Sequence, residues 1–272
     1  MINCTIIIVN YNTGEILNQV VSNIINCAIV EKVIVVDNCS VDNSIAMLKT
    51  HDKLQVYLRN YNHGFAKSCN YGAKYSNSDY LLFLNPDCYI ENTGLERLVE
   101  ELKKNSNAGI IGCMIKNPDG SEQRASRRRL PTLLRAIKTF TGIEKLVKFS
   151  HYFAGVNLSH EVLKHQTYNV EAISGALILI KSKLFKEING FDEDFPLHFE
   201  DLDLFKRCIE NGYSILFNPI VEAVHYQGTS SQSNPAVEQF KKIGLQLYFY
   251  KHCSYFSYLI IKMINKLLWT KQ

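Results

Sequence analysis

Short apolar runs that end abruptly in asparagine- and aspartate-rich loops constrain this chain more than any other feature. Five apolar runs fall in the first 115 residues, at 5–9, 32–36, 54–58, 80–84 and 109–114. Residues 33–36 and 81–84 are apolar at every position. Both faces of such strands need cover, which a parallel sheet with helical crossovers provides. Between the runs, segments 13–26, 42–50, 64–76 and 91–104 are each long enough for a helix. The pattern predicts an α/β fold, a mostly parallel central sheet flanked by helices.

In sheets of this kind, ligands bind beyond the carboxyl ends of the strands. The first four runs end there in Asn10-Tyr11-Asn12, Asp37-Asn38-Cys39-Ser40, the loop 59–65 and Asn85-Pro86-Asp87. Asp37, Asn62 and Asp87 each precede a helical segment, where capping is the ordinary task of such residues. Four polar loops on one sheet edge, two of them carrying carboxylates, point instead to a pocket.

Downstream, Asn117-Pro118-Asp119-Gly120 marks a turn, and the weakly periodic stretch 116–165 is expected to run over the surface of the same domain. The apolar run 170–181 contains Ser174-Gly175-Ala176, where Gly175 allows either close approach of a ligand or a strand bulge. Asp192, Glu193 and Asp194 then lead to a second acidic cluster, Glu200, Asp201 and Asp203. Acids in the first turn of a helix suit its dipole. Flanked by Phe199, Leu202, Leu204 and Phe205, a carboxylate is also a candidate general base. His225 ends a further apolar run, as a structural hydrogen-bonder or as a metal or phosphate ligand.

Charge is unevenly spread. The 272 residues carry a formal net charge of +4, yet residues 116–148 alone hold +6 and residues 241–272 hold six lysines and no acid. The body is therefore acidic. Basic segments attract phosphate-rich partners such as nucleic acid, anionic lipid or a lipid-linked diphosphate, or are simply solvated. Read as one helix, 240–269 aligns Lys251, Lys262 and Lys266 within about 60°. Its longest uncharged stretch, 253–261, is too short to span a bilayer, which takes about 20 residues. The segment reads either as an amphipathic helix on a membrane surface or as a packing or dimer helix. The 8 cysteines include no CxxC pair, so no disulfide framework or zinc site is expected and a reducing cytoplasm fits. No signal peptide is expected at the start.

The stretches IIIVNYN (6–12), VIVVDNCSVDNS (33–44), NYNHGFAKSCNYGAKYS (60–76), YLLFLNPDCYI (80–90), SGALILIKSKLFKEINGFDEDF (174–195), FEDLDLFKRCIENGY (199–213) and VHYQGTSS (224–231) occur in this order. As a set they resemble the family 2 glycosyltransferases of GT-A fold, in particular the bacterial rhamnosyltransferase-like branch. The resemblance implies a Rossmann-like catalytic domain over 1–235, with a nucleotide-binding half at 1–115 and an acceptor half at 166–231. A basic, aromatic helical tail would follow at 236–272.

The resemblance also implies roles. Asp37 would recognise the pyrimidine of a nucleotide-sugar donor, and Asn62 and Gly64 would lie against the nucleotide. Asn10 and Gly175 complete the expected donor pocket. Asp87 matches the last acid of a DxD motif that binds Mg²⁺ or Mn²⁺ on the donor diphosphate, His225 a histidine completing the metal site, and Asp201 the general base. Inverting transfer follows, with dTDP-L-rhamnose favoured over a UDP-sugar. The acceptor would be a lipid-linked glycan for bacterial surface polysaccharide, met at the inner face of the plasma membrane. Asn85 departs from the motif, because it removes one acid from the metal. Segment 116–165 and the residues beyond 231 match nothing specific, so acceptor choice is expected there.

Two other classes fit less well. A sugar nucleotidyltransferase usually opens with a basic, glycine-rich loop after the first strand, and Asn10-Tyr11-Asn12-Thr13-Gly14 carries no Lys or Arg. A nucleic-acid-binding protein would not be expected to have an acidic body without a recognised binding motif.

Overall fold

The apolar runs form the expected strands in a computed structural model that describes residues 3–148, 152, 154–159, 161–226 and 235–269. In chain order the elements are β1 (Cys4–Asn10), α1 (Ile16–Ile24), β2 (Val30–Asp37), β3 (Leu54–Leu58), α2 (Phe65–Ala73), β4 (Tyr80–Leu84), β5 (Cys88–Ile90), α3 (Asn92–Lys104) and β6 (Ala108–Lys116). There follow β7 (Arg127–Arg128), α4 (Leu133–Phe140), β8 (Tyr168–Val170), β9 (Ala172–Ile173), β10 (Leu177–Lys181), α5 (Ser182–Glu187), α6 (Glu200–Glu210), β11 (Ser214–His225), α7 (Pro235–His252) and α8 (Tyr255–Trp269).

The main sheet runs β3-β2-β1-β4-β10-β6-β11-β5, with β8 paired to β11. Strands β3, β2, β1 and β4 are mutually parallel, as are β6 and β11. Strand β10 is antiparallel to both of its neighbours, β4 and β6. Alternate side chains of β1 enter opposite cores: Ile6 and Ile8 pack with Leu17, Val21 and Leu98, while Ile7 and Val9 pack with Cys69, Phe83 and Phe205. Cover on both faces is what strands apolar at every position require.

Segment 42–50 is not the helix its length suggests. Asp42 Oδ1 accepts from the Ser44 backbone N–H at 3.1 Å, and Oδ2 from Gly14 N–H at 2.8 Å. The side chain thereby competes with helical bonding and ties the segment to the β1 loop. Asp87 likewise caps no helix; it lies in a tight turn from β4 into β5. The run 170–181 is broken into β8, β9 and β10, with the turn at 174–176 between the last two.

The arginine-rich stretch is not an open phosphate-binding patch. Arg124 pairs with Glu144, Arg127 with Glu122 at 2.8 Å, Arg128 with Asp201, Arg129 with Glu161 at 2.7 Å and Arg135 with Glu171 at 2.6 Å. Glu122, Glu144 and Glu161 brace segment 116–165 internally, Asp201 and Glu171 staple it onto the body, and Leu130 and Ala136 join its second core.

The tail also departs from a single helix. It breaks at Cys253–Ser254, where Ser254 Oγ accepts from Ser257 N–H at 3.2 Å and starts α8. Lys251 turns inward to Asp192 and, at 2.8 Å, to Asp194, so no stripe unites it with Lys262 and Lys266. Leu245, Tyr248, Phe249 and Ile261 are buried in the same core as α6.

Candidate active site

Three clusters gather at the carboxyl edge of the parallel strands. In the first, Asn10 and Asp37 end β1 and β2 in register. Asn10 Nδ2 donates to Asp37 Oδ1 at 2.7 Å and to Ser44 Oγ at 2.8 Å, and Asp37 Oδ2 accepts from Ser40 N–H at 3.1 Å. Asp37 is 4% exposed, so its carboxylate organises the loop from within. Next to it, Asn38 Oδ1 accepts from Ser68 Oγ at 2.7 Å, and Asn38 Nδ2 donates to the Gly64 carbonyl at 3.2 Å. Asn62 Oδ1 accepts from Gly64 N–H at 2.9 Å, an Asx turn feeding α2, and Gly64 itself has φ 85°. Sequence reading had not singled out Asn38, although it links two of the loops.

The second cluster forms where β5 pairs with β11, placing Cys88 opposite His225. Asp87 Oδ1 lies 3.1 Å from His225 Nε2, and Asn85 Nδ2 lies 3.2 Å from the same nitrogen. Behind the ring, His225 Nδ1 faces Gln123 Oε1 at 3.1 Å. Gln123 Nε2 donates to Asn117 Oδ1 at 3.3 Å, which fixes the amide orientation. Nδ1 is thereby placed to donate to Gln123, which leaves Nε2 facing Asp87 and Asn85.

Two electron-pair donors at this spacing suit a divalent cation. A metal about 2.1 Å from each of two ligands at right angles leaves them about 3.0 Å apart. Among the described residues no group of three His, Cys, Asp or Glu could hold a metal. The remaining coordination would fall to a diphosphate and water, which Mg²⁺ commonly accepts. Residues 227–231, the end of the motif that begins at Val224, lie outside the described residues.

The third cluster is acidic. His198 and Phe199 both have positive φ, 66° and 71°, immediately before α6, a strained conformation of the kind that collects at functional sites. Helix α6 then opens with Glu200, Asp201 and Asp203, all buried. Asp203 is structural. Burial opposes its ionisation, but the bond to His252 Nε2 at 2.7 Å and the Arg207 fork hold it below the usual carboxylate range. Glu200 differs: burial and the like charge of Asp201 push it up to about 8, and its Oε2 has no hydrogen-bond partner. Near neutral pH Glu200 therefore holds a proton beside Asp201.

Asp201 Oδ1 accepts from Leu202 N–H at 2.8 Å, while Oδ2 accepts from Arg128 Nη2. Arg128 is positioned by the β7–β9 pair and by its Nε bond to the Ile173 carbonyl at 3.1 Å. The turn at 174–176 touches both chemical clusters. Asn85 N–H donates to the Ala176 carbonyl at 2.9 Å, and a Cβ added at Gly175 would lie 3.0 Å from Asp201 Oδ2. Only a residue without a side chain lets the turn sit this close to the acid. In the sequence Arg128 reads only as part of a basic run and Gln123 carries no signal, because the partners of both are distant in the chain.

This sheet, with an acid-and-histidine pair across a turn from a buried carboxylate, has the GT-A architecture of nucleotide-sugar transferases. The chain belongs to glycosyl transferase family 2, whose model matches residues 5–163. It is 26% identical over 160 residues to the N-acetylglucosaminyl-diphospho-decaprenol L-rhamnosyltransferase of Mycobacterium tuberculosis, covering 58% of this chain and 50% of that one. It is 25% identical over 181 residues to the rhamnosyltransferase WbbL of Escherichia coli, covering 63% of this chain and 64% of that one. Each match thus spans less than two thirds of these relatives' length. A crystal structure of GalNAc-T7 with UDP, GalNAc and Mn²⁺ superposes with a TM-score of 0.61 at 14% identity, over 89% of this chain and 48% of that one.

Proposed function

We propose that the protein is an inverting glycosyltransferase that moves L-rhamnose from dTDP-L-rhamnose to a lipid-linked glycan. The observation that carries the transfer reading is the turn at 174–176, which contacts loop 85–87 on one side and Asp201 on the other. Donor and acceptor rest on the relatives, an L-rhamnosyltransferase named for a decaprenol-linked N-acetylglucosamine and a second rhamnosyltransferase.

In this reading Asn10, Asp37, Asn62 and Gly64 shape the nucleotide side of the pocket, and Gly175 leaves room for the sugar against Asp201. Asp87 and His225 would hold Mg²⁺ or Mn²⁺, which when bound supplies positive charge to the departing diphosphate. The acceptor hydroxyl gives its proton to an Asp201 carboxylate oxygen as its own oxygen attacks the anomeric carbon. The bond from that carbon to the donor phosphate breaks, and the nucleoside diphosphate leaves with the electron pair. Attack opposite the leaving group inverts the centre. Although Arg128 and Leu202 N–H occupy both Asp201 oxygens, each oxygen keeps a second acceptor position for the proton.

Thermal-shift titration with dTDP, UDP, GDP and CMP, each with and without Mn²⁺, tests the donor side. Stabilisation by dTDP that needs Mn²⁺ is expected. A response to GDP alone, or to none of the four, overturns the donor assignment. Release of dTDP from dTDP-L-rhamnose that requires prenyl-diphosphate-linked N-acetylglucosamine tests the acceptor.

A further inference from the structure

We propose that the outward face of α8 is a membrane-binding surface that lies in the headgroup layer of an anionic bilayer. The inference stands on that surface and does not depend on the transfer reading. Tyr255, Phe256 and Met263 are 67%, 69% and 64% exposed, and Leu259 joins them at 39%. At 100° per residue these four positions, with exposed Lys262 and Lys266, fall within an arc of about 120°. The opposite side is committed to the protein: Ile261 is fully buried, and buried Asn265 donates through Nδ2 to the Lys242 carbonyl of α7 at 3.4 Å.

Length and charge choose the occupant. Fifteen residues span about 22 Å, short of the roughly 30 Å hydrocarbon core, and among the described residues no helix is long and apolar enough to cross a membrane. The helix must therefore lie flat if it meets lipid. A second copy is the poorer occupant. Face-to-face pairing about a twofold axis would set Lys262 and Lys266 against like charges, and residues 239–272 contain no acid to answer them. Anionic headgroups answer the lysines, while aromatic and aliphatic side chains suit the layer beneath.

The face is rigidly tied to the catalytic half. Helix α7, on which α8 packs, is bolted to α6 by His252–Asp203 and to the preceding loop by Lys251. Seating α8 on lipid would thus fix the attitude of the cleft toward the bilayer.

Co-sedimentation of the full chain with vesicles of phosphatidylcholine, alone or containing phosphatidylglycerol, tests the proposal. The wild type should bind only the phosphatidylglycerol vesicles, and less at high salt. Lys262→Glu with Lys266→Glu should reduce partitioning by roughly 30-fold or more, the scale of two lost lysine–surface interactions. Phe256→Ser with Met263→Ser should also release the protein. Because all four positions are exposed, the variants should unfold at the wild-type temperature. Should they misfold, the wild type alone decides: its binding to phosphatidylglycerol vesicles should weaken as salt is raised, with none to phosphatidylcholine alone. Failure of the wild type to bind at low salt overturns the proposal. So does wild-type binding by both folded variants, or a concentration-dependent dimer that the Phe256 and Met263 changes dissolve.

Discussion

Arg128 donates to the Asp201 carboxylate from 73 positions upstream, joining the surface excursion to the head of α6. The ion pair is largely buried, with side-chain exposures of 13% and 12%. Arg128 also bonds the Ile173 carbonyl at the start of the 174–176 turn, so a single guanidinium ties the acid to the backbone beside it.

Arg128→Ala should therefore lower kcat by roughly 10²-fold, the scale of a misplaced catalytic group, with donor KM little changed. Arg128→Lys should recover little, since an ammonium cannot reproduce the fork shared by Ile173 and Asp201. Steady-state kinetics on both variants provides the check, and full activity in Arg128→Lys would reduce the role to simple charge.

Substitution separates the two neighbouring acids. Asp201→Asn should lower kcat by at least about 10²-fold while donor binding persists. Glu200→Gln should stay within a few-fold of wild type, because Gln resembles the protonated acid that the buried site favours. The reverse pattern would move the base to Glu200.

Glu200 also gives the protein a pH signature. Its folded-state value, about 8, lies above the ordinary 4.5, so the folded state binds more protons within that window. Stability from this group is accordingly complete below about pH 4.5 and declines as pH rises to about 8. In denaturant titrations, Glu200→Gln should gain on wild type across that interval and run parallel to it above. A constant offset would mean that Glu200 does not titrate there.

Asp87→Ala should weaken donor binding in Mn²⁺ and leave it nearly unchanged in EDTA, as measured by calorimetry. Gln123→Ala should do the same more mildly, by freeing the ring that Gln123 Oε1 orients; outer-shell partners of metal ligands typically contribute 10- to 100-fold in affinity. Equal donor affinity in Mn²⁺ and EDTA for the wild type would mean a site that works without metal.

The strands and the polar loops at their ends were legible because periodicity and loop chemistry are local. Loop 85–87 and His225 could each be found in the sequence, but their 3.1 Å contact depends on the β5–β11 register. The arginines misled for the same reason: Glu144, Glu161, Glu171 and Asp201, which neutralise four of them, lie 20 to 73 positions away. The break before α8 carries no Gly or Pro, only the Ser254 cap. The inward turn of Lys251 depends on the acids at 192 and 194, which are close only in the fold.

Helix α7 meets the strained turn ahead of α6 at Gly244, where an added Cβ would come within 2.6 Å of the His198 carbonyl. Turn and helix are consequently a matched pair, like two halves of a casting. A chimera that imports residues 190–200 from a relative would inherit a backbone shaped for another helix. Successful grafts should have to carry 235–252 along with the loop, so these two distant segments exchange together more readily than either does alone.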